Sequence, residues 1–200
     1  LAHRMVTEKL AGGKFTLGSL KSLLYNNRVE SAELLLDQMV AYCKANPMML
    51  GTSGLVDVSA ACAALEGWDG RNNLDSTGGL LFQRIATALY AAPGPVYANP
   101  FDHTDPIGTP SGLNLVNPSL PLAIADTVKE FNDNGMPLTA TRRDYQTVTR
   151  QGKKIPIPAG DYEPYGSFNP VWGEWIPGQG ITEIEDGSSF IQAVHLTGAK

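Results

Sequence analysis

The chain has 200 residues, 42% hydrophobic and 18% charged, with 21 Gly, 14 Pro and a formal net charge of −5. A chain this long buries roughly 70% of its unfolded surface, so one or two self-sufficient folded units are expected rather than disorder. The acidic balance argues against a nucleic-acid partner, since neutralising phosphates needs a Lys/Arg surplus on one face. No apolar run reaches the roughly 18 residues of a membrane span, and no N-terminal segment joins basic residues to an apolar core as a signal peptide does. The chain starts at Leu1 without Met and stops at Lys200 just after an apolar run, which reads as a piece of a longer protein.

In chain order, Thr16 is placed to cap a short helix bearing Leu17, Leu20 and Leu24. A longer helix from about Arg28 carries Ala32, Leu36, Met39 and Cys43 until Asn46-Pro47 stops it. MMLGTSGL reads as a connector, after which Asp57 caps a third helix with the stripe Ala61, Cys62 and Leu65. Gly67 is the expected left-handed stop of that helix, and Asp75 or Ser76 the cap of a fourth. The fourth helix presents Leu81, Phe82, Ile85 and Leu89 until Pro93. Residues 93–118 hold Pro93, Pro95, Pro100, Pro106, Pro110 and Pro118 among Gly and Asn, so a surface loop with nothing longer than a turn is expected. A fifth helix from about Ser119 turns Ile124, Val128 and Phe131 inward and ends at Asn134-Gly135.

After Pro137 the period changes from about 3.6 to 2. YQTVT, RQGK and KIPIP predict a β-hairpin with Gly152 in its turn, followed by an aromatic, turn-rich stretch with Tyr162, Tyr165, Phe168, Trp172 and Trp175. The run SSFIQAVHL, residues 188–196, is apolar on both faces, as an interior strand is. The expected architecture is α+β. Residues 1–140 are mainly helical with the Pro-rich loop, and residues 141–200 are β-rich and end in an interior strand.

The chemistry-bearing residues form few constellations. Cys43 and Cys62 lack CxxC spacing; they are either two buried small hydrophobes or one disulfide between successive helices, and both readings stand. His3, His103 and His195 are about a hundred residues apart, with no helical metal-ligand spacing. Asp102-His103-Thr104-Asp105 reads as an Asx-turn loop, with a metal pair as the alternative. Ser53 in GTSGL and Ser111 in TPSGLN do not match a nucleophile elbow. Glu183, Glu185 and Asp186 read as solvated turn carboxylates rather than an acid/base pair. Trp172 and Trp175 read as rings filling a small β core, the alternative being a stacking platform for a sugar or acyl group. Asp69, Arg71 and Asp75 read as a charge-and-cap network orienting Trp68.

Four blocks, LLYNNRVESAELLLDQMVAYC, ACAALEGWDGRNNLDSTGGLLFQRI, NPFDHTDPIGTPSGL and DGSSFIQAVHL, resemble successive parts of the β subunit of the penicillin-acylase family. They are most similar to its acyl-homoserine-lactone and aculeacin acylase branch. The resemblance implies a fragment of an αββα hydrolase of the N-terminal nucleophile class. Such enzymes are secreted or periplasmic heterodimers made from a zymogen by self-cleavage, and they hydrolyse a linear amide. The family's nucleophile is a serine heading the β chain, with its own α-amino group as base and an asparagine among the oxyanion donors. Here residue 1 is Leu, and no block matches the Asn-bearing segment. The resemblance therefore carries over no catalytic, cofactor or metal residue, and it implies that the chain alone is inactive. The implied partners are the α subunit, the N-terminal part of the β subunit and an acyl-amide substrate. The competing reading is a non-enzymatic helical and β module that binds glycan or a protein.

Overall fold

The computed structural model describes every residue except Glu163, Ser189, Thr197, Ala199 and Lys200. The chain opens with helices α1 (Ala2–Ala11), α2 (Leu17–Leu24) and α3 (Glu30–Ala45), followed by strands β1 (Met48–Gly51) and β2 (Gly54–Asp57). Helices α4 (Ser59–Glu66) and α5 (Gly79–Ala91) come next, then β3 (Tyr97–Asn99), β4 (Ser111–Leu113) and the long helix α6 (Ser119–Asp133). One helical turn, α7 (Arg142–Tyr145), leads into β5 (Thr147–Arg150), β6 (Lys153–Pro156), β7 (Val171–Trp172), β8 (Trp175–Ile176), β9 (Gly180–Ile181) and β10 (Asp186–Gly187).

The core is helical. Ala32, Leu35, Met39 and Cys43 of α3 meet Ala61, Cys62 and Leu65 of α4, and Leu81, Phe82, Ile85 and Leu89 of α5 meet Leu120, Ile124, Val128 and Phe131 of α6. Leu35 rather than Leu36 fills the α3 stripe, with Leu36 only partly buried. Cys43 and Cys62 form a disulfide that ties α3 to α4, which resolves the two readings left open by the sequence.

Several boundaries differ from expectation. Helix α1 has no side-chain cap, and its buried residue is Met5, so it lacks the signals that mark a helix in sequence. It is held to α3 by an ion-pair network in which Arg4 pairs with Glu30 and Glu33, and Arg28 with Glu8 and Glu33. MMLGTSGL is a hairpin: β1 and β2 pair with Met49 opposite Val56 and Leu50 opposite Leu55. Asp126 of α6 pins its turn by accepting from Thr52 N at 2.8 Å. The Pro-rich stretch contains a short ladder, β3–β4, because Tyr97 to Asn99 and Ser111 to Leu113 are free of proline and can pair.

Helix α2 carries the expected cap at Thr16, with Ser19 completing a reciprocal pair. Asp57 was expected to cap α4, but the N-cap is Val58, without a side-chain cap bond, and Asp57 closes an Asx turn by accepting from Ser59 N at 2.9 Å. Gly67 is right-handed instead (φ −76°), and the left-handed residues of the connection are Gly70 (φ +67°) and Gly78, the N-cap of α5 at φ +84°. Asp75 and Ser76 are engaged elsewhere. A Cβ at Gly78 would lie 2.5 Å from the Ala64 carbonyl oxygen, so Gly78→Ala is expected to destabilise by roughly 2 kcal/mol or more. Urea unfolding measures this, and a cost below about 0.5 kcal/mol would show that the α4–α5 joint yields easily.

The predicted hairpin forms as β5–β6, with Gln151 and Gly152 both at positive φ in its turn. Every ladder among the described residues is two-stranded. Isolated two-stranded ladders are marginal in water, so these depend on the helices they pack against. The mixed helix and strand content agrees with the α+β expectation. The described residues of the run 188–196 belong to no ladder within these 200 residues, and Phe190 and Leu196 are 81% and 88% exposed. An interior strand needs neighbours on both edges, and no described segment supplies them.

Candidate functional site

Residues 68–76, joining α4 to α5, are where distant parts of the chain meet. Trp68 is buried against Phe82, and its indole Nε1 donates to Arg71 O at 2.8 Å. Asp69 accepts from Arg71 N at 3.0 Å and from Ser76 Oγ at 2.9 Å, closing an Asx turn. The network expected of Asp69, Arg71 and Asp75 divides here. The Arg71 guanidinium donates outward to Asn26 O at 2.6 Å, while Asp75 forms a two-pronged pair with Arg143 at 2.6 and 2.7 Å.

Asn72, between them, points inward at a group the sequence did not signal. Arg142 of α7 is 1% exposed, and its guanidinium donates to Asn72 Oδ1 at 2.7 Å, Gln83 Oε1 at 2.7 Å and Gln146 Oε1 at 2.5 Å. Tyr165 Oη donates to Asn72 Oδ1 at 2.9 Å, and Gln146 Nε2 to the carbonyls of Ile157 and Ala159 at 2.7 and 2.9 Å. Asn72 Nδ2 donates to Ser167 Oγ at 3.0 Å. A buried cation is costly unless its donors are satisfied. Here three neutral side chains, Asn72, Gln83 and Gln146, satisfy them, so the cluster is a structural knot.

Burial pushes Arg142 below and Tyr165 above their usual pKa values. Half-buried Asp161 is the carboxylate that acts on Arg142 through space, yet burial still holds its own pKa above the ordinary 3.8. A carboxyl whose folded pKa is raised contributes stability below its unfolded value and loses it as pH rises through the folded value. Asp161→Asn is therefore expected to raise the urea midpoint at pH 7, and the gain should vanish below about pH 3.8. An unchanged or lowered midpoint at pH 7 would mean that attraction to Arg142 outweighs the loss of water.

The other sequence candidates lie apart from the knot. Asp102 closes an Asx turn onto Thr104 N at 2.8 Å, and His103 is 90% exposed beside it, as the loop reading expected. No cluster of three metal-ligating side chains occurs among the described residues. His3 lies on α1, and His195 in the C-terminal run. Ser53 is in the β1–β2 turn and Ser111 in β4, neither at a strand-to-helix elbow. Glu183 accepts from Thr149 N at 2.8 Å and Arg150 at 3.0 Å, while Asp186 accepts from Tyr162 Oη at 2.9 Å. These carboxylates tie segments distant in sequence to one another. Trp175 stacks on Phe131 with ring centres 5.9 Å apart, Arg84 lies over its other contact surface at 4.8 Å, and Nε1 donates to Glu130 at 2.7 Å, so this ring is part of the core. Trp172 is 43% exposed.

A cleft of about 620 Å³ is walled by Leu34, Tyr97, Phe101, Pro110 and Phe168, with Glu30 and Thr109 also lining it. Thr109 Oγ1 donates to Asp105 O at 2.7 Å, and Glu30 is engaged by Arg4. Tyr97 Oη meets Tyr90 Oη at 2.6 Å, and burial raises the Tyr90 pKa well above its usual value. The walls can shelter apolar groups.

The penicillin amidase family model matches residues 2–200, and the chain belongs to that family. It is 36% identical over 195 residues to the aculeacin-A acylase of Actinoplanes utahensis, covering 95% of this chain and 23% of that protein. It is 32% identical over 190 residues to the acyl-homoserine lactone acylase PvdQ of Pseudomonas syringae pv. syringae (strain B728a), covering 91% of this chain and 23% of that protein. The chain thus spans less than a quarter of the length of these two relatives.

Proposed function

We propose that the chain is a segment of an acylase that hydrolyses a linear amide, such as an N-acyl-homoserine lactone, an acyl-peptide or a penicillin-type substrate, with its nucleophile outside these residues. The family match over residues 2–200 carries this reading. Two acylases of similar sequence, both about four times longer, support it. The segment contributes the helical framework, and residues 188–196 pair as a strand with the remainder of the enzyme, which relieves the exposure of Phe190, Val194 and Leu196. The partners are the α subunit and the N-terminal part of the β subunit of a heterodimer cut from a zymogen. A secreted or periplasmic location agrees with the Cys43–Cys62 disulfide, since such bonds persist in oxidising compartments.

Acyl release from lactone, lipopeptide and penicillin-type amides by the full-length enzyme, and by residues 1–200 alone, tests the proposal. The full-length enzyme is expected to turn over at least one of these classes and the segment none above background. Turnover by the segment alone, abolished by changing one of its own residues, would overturn the placement of the nucleophile. A full-length protein inert on all three classes would overturn the acylase reading.

A further inference from the structure

An antiparallel ladder with one face on the core ordinarily shows polar side chains to water on the other. The β1–β2 hairpin breaks this rule. Met49 and Val56 face inward over α6, and Gly51 approaches so closely that a Cβ there would lie 3.2 Å from the Ala125 side chain. Met48, Leu50 and Leu55 occupy the opposite face and are 48%, 64% and 64% exposed, with Leu50 and Leu55 directly opposite each other in the register. Asp57, opposite Met48, is the polar residue of that face. The β5–β6 hairpin, of the same size, instead exposes Thr149, Arg150, Lys153 and Lys154 alongside Ile155.

The outer β1–β2 face therefore has the composition of an interior surface. Burying a Leu or Met side chain is favourable, and three of them side by side form a docking patch rather than scattered exposure. We propose that Met48, Leu50 and Leu55 are an internal contact surface, covered by apolar side chains from the remainder of the acylase. This rests on the acylase reading above. Its occupant follows from length: the relatives carry more than three quarters of their residues outside the matched region, and a segment that size must share apolar surface with the rest. A second copy of the chain and open solvent are the other outcomes.

The test uses the full-length enzyme. Leu50→Cys and Leu55→Cys are prepared separately and labelled with a maleimide in native and urea-unfolded protein, with modification read on the peptide containing each site. Within this segment the disulfide leaves no competing thiol. Hydroxyl-radical oxidation of Met48 in the wild-type enzyme provides a readout that needs no substitution. Labelling at least about 100-fold slower in the native than in the unfolded protein, independent of dilution, with Met48 similarly protected, is the expected result. Labelling within a few-fold of the unfolded rate would overturn the proposal, as would protection that disappears on dilution, which marks self-association. Amide hydrolysis by the same variants separates the two readings: active enzyme with a reactive Cys at position 50 refutes the contact and leaves the acylase standing.

Discussion

Arg142→Leu is expected to lower the unfolding free energy by about 3–5 kcal/mol, the largest effect of any single substitution considered. The change removes the donors that satisfy Gln83 Oε1 and Gln146 Oε1 and leaves Asn72 Oδ1 with Tyr165 Oη. Each buried acceptor left without a partner costs about 1–3 kcal/mol. Leucine is also shorter than arginine, so it leaves part of the site empty. Arg142→Lys should recover only part of the loss, because a single ammonium cannot reproduce the planar fork that meets three acceptors. Urea unfolding at pH 7 measures both. If Arg142→Leu cost less than about 1 kcal/mol, the partners would have to find water or one another, and the knot would be incidental.

The second large effect belongs to the disulfide. Cys43 and Cys62 are 19 residues apart in sequence, and closing a loop of that length restricts the unfolded chain enough to stabilise the fold by about 3 kcal/mol in the chain-entropy treatment. The double variant Cys43→Ala, Cys62→Ala is expected to unfold roughly 6–12 °C lower in calorimetry. Reduction of the wild type should give a similar shift. A shift under about 1 °C would show that packing of α3 on α4 already restricts the unfolded ensemble.

What the sequence revealed depended on whether a local pattern stood for a local cause. Helices α3, α5 and α6 were legible because each carries a wide apolar stripe and a clear stop at Asn46-Pro47, Pro93 or Asn134-Gly135. Thr16 was legible as a cap because a cap is made within three residues, whereas Asp57 sits one residue before the Val58 N-cap and closes an Asx turn. Helix α1 was not, since charged contacts from Arg4 and Glu8 to a distant helix replace the missing stripe. The choice between Gly67 and Gly78 turned on a close approach to Ala64, which no spacing rule contains. MMLGTSGL hid a hairpin because its outer face is apolar and so shows no alternation. Of the candidate residues, the Asp102 loop behaved as local chemistry predicts, whereas Glu183 and Asp186 bond to partners distant in sequence, which no local pattern signals. Arg142 was missed because Asn72, Gln83 and Tyr165 lie in segments far from it in sequence, and a lone Arg in a polar stretch looks solvated.

Asn72 also sets a timetable. The partners of this side chain lie 70 residues downstream at Arg142 and 95 downstream at Ser167. At roughly 5–20 residues per second of synthesis, several seconds separate its emergence from theirs. During that interval the α3, α4 and α5 helices can associate through contacts close in sequence, and the linker contacts of Trp68, Asp69 and Arg71 can form, whereas the Asn72 side chain stays hydrated and unlocked. The locking of Asn72 should therefore be a late event that waits on the C-terminal segments, and a nascent chain stalled before residue 142 would hold its helices without it.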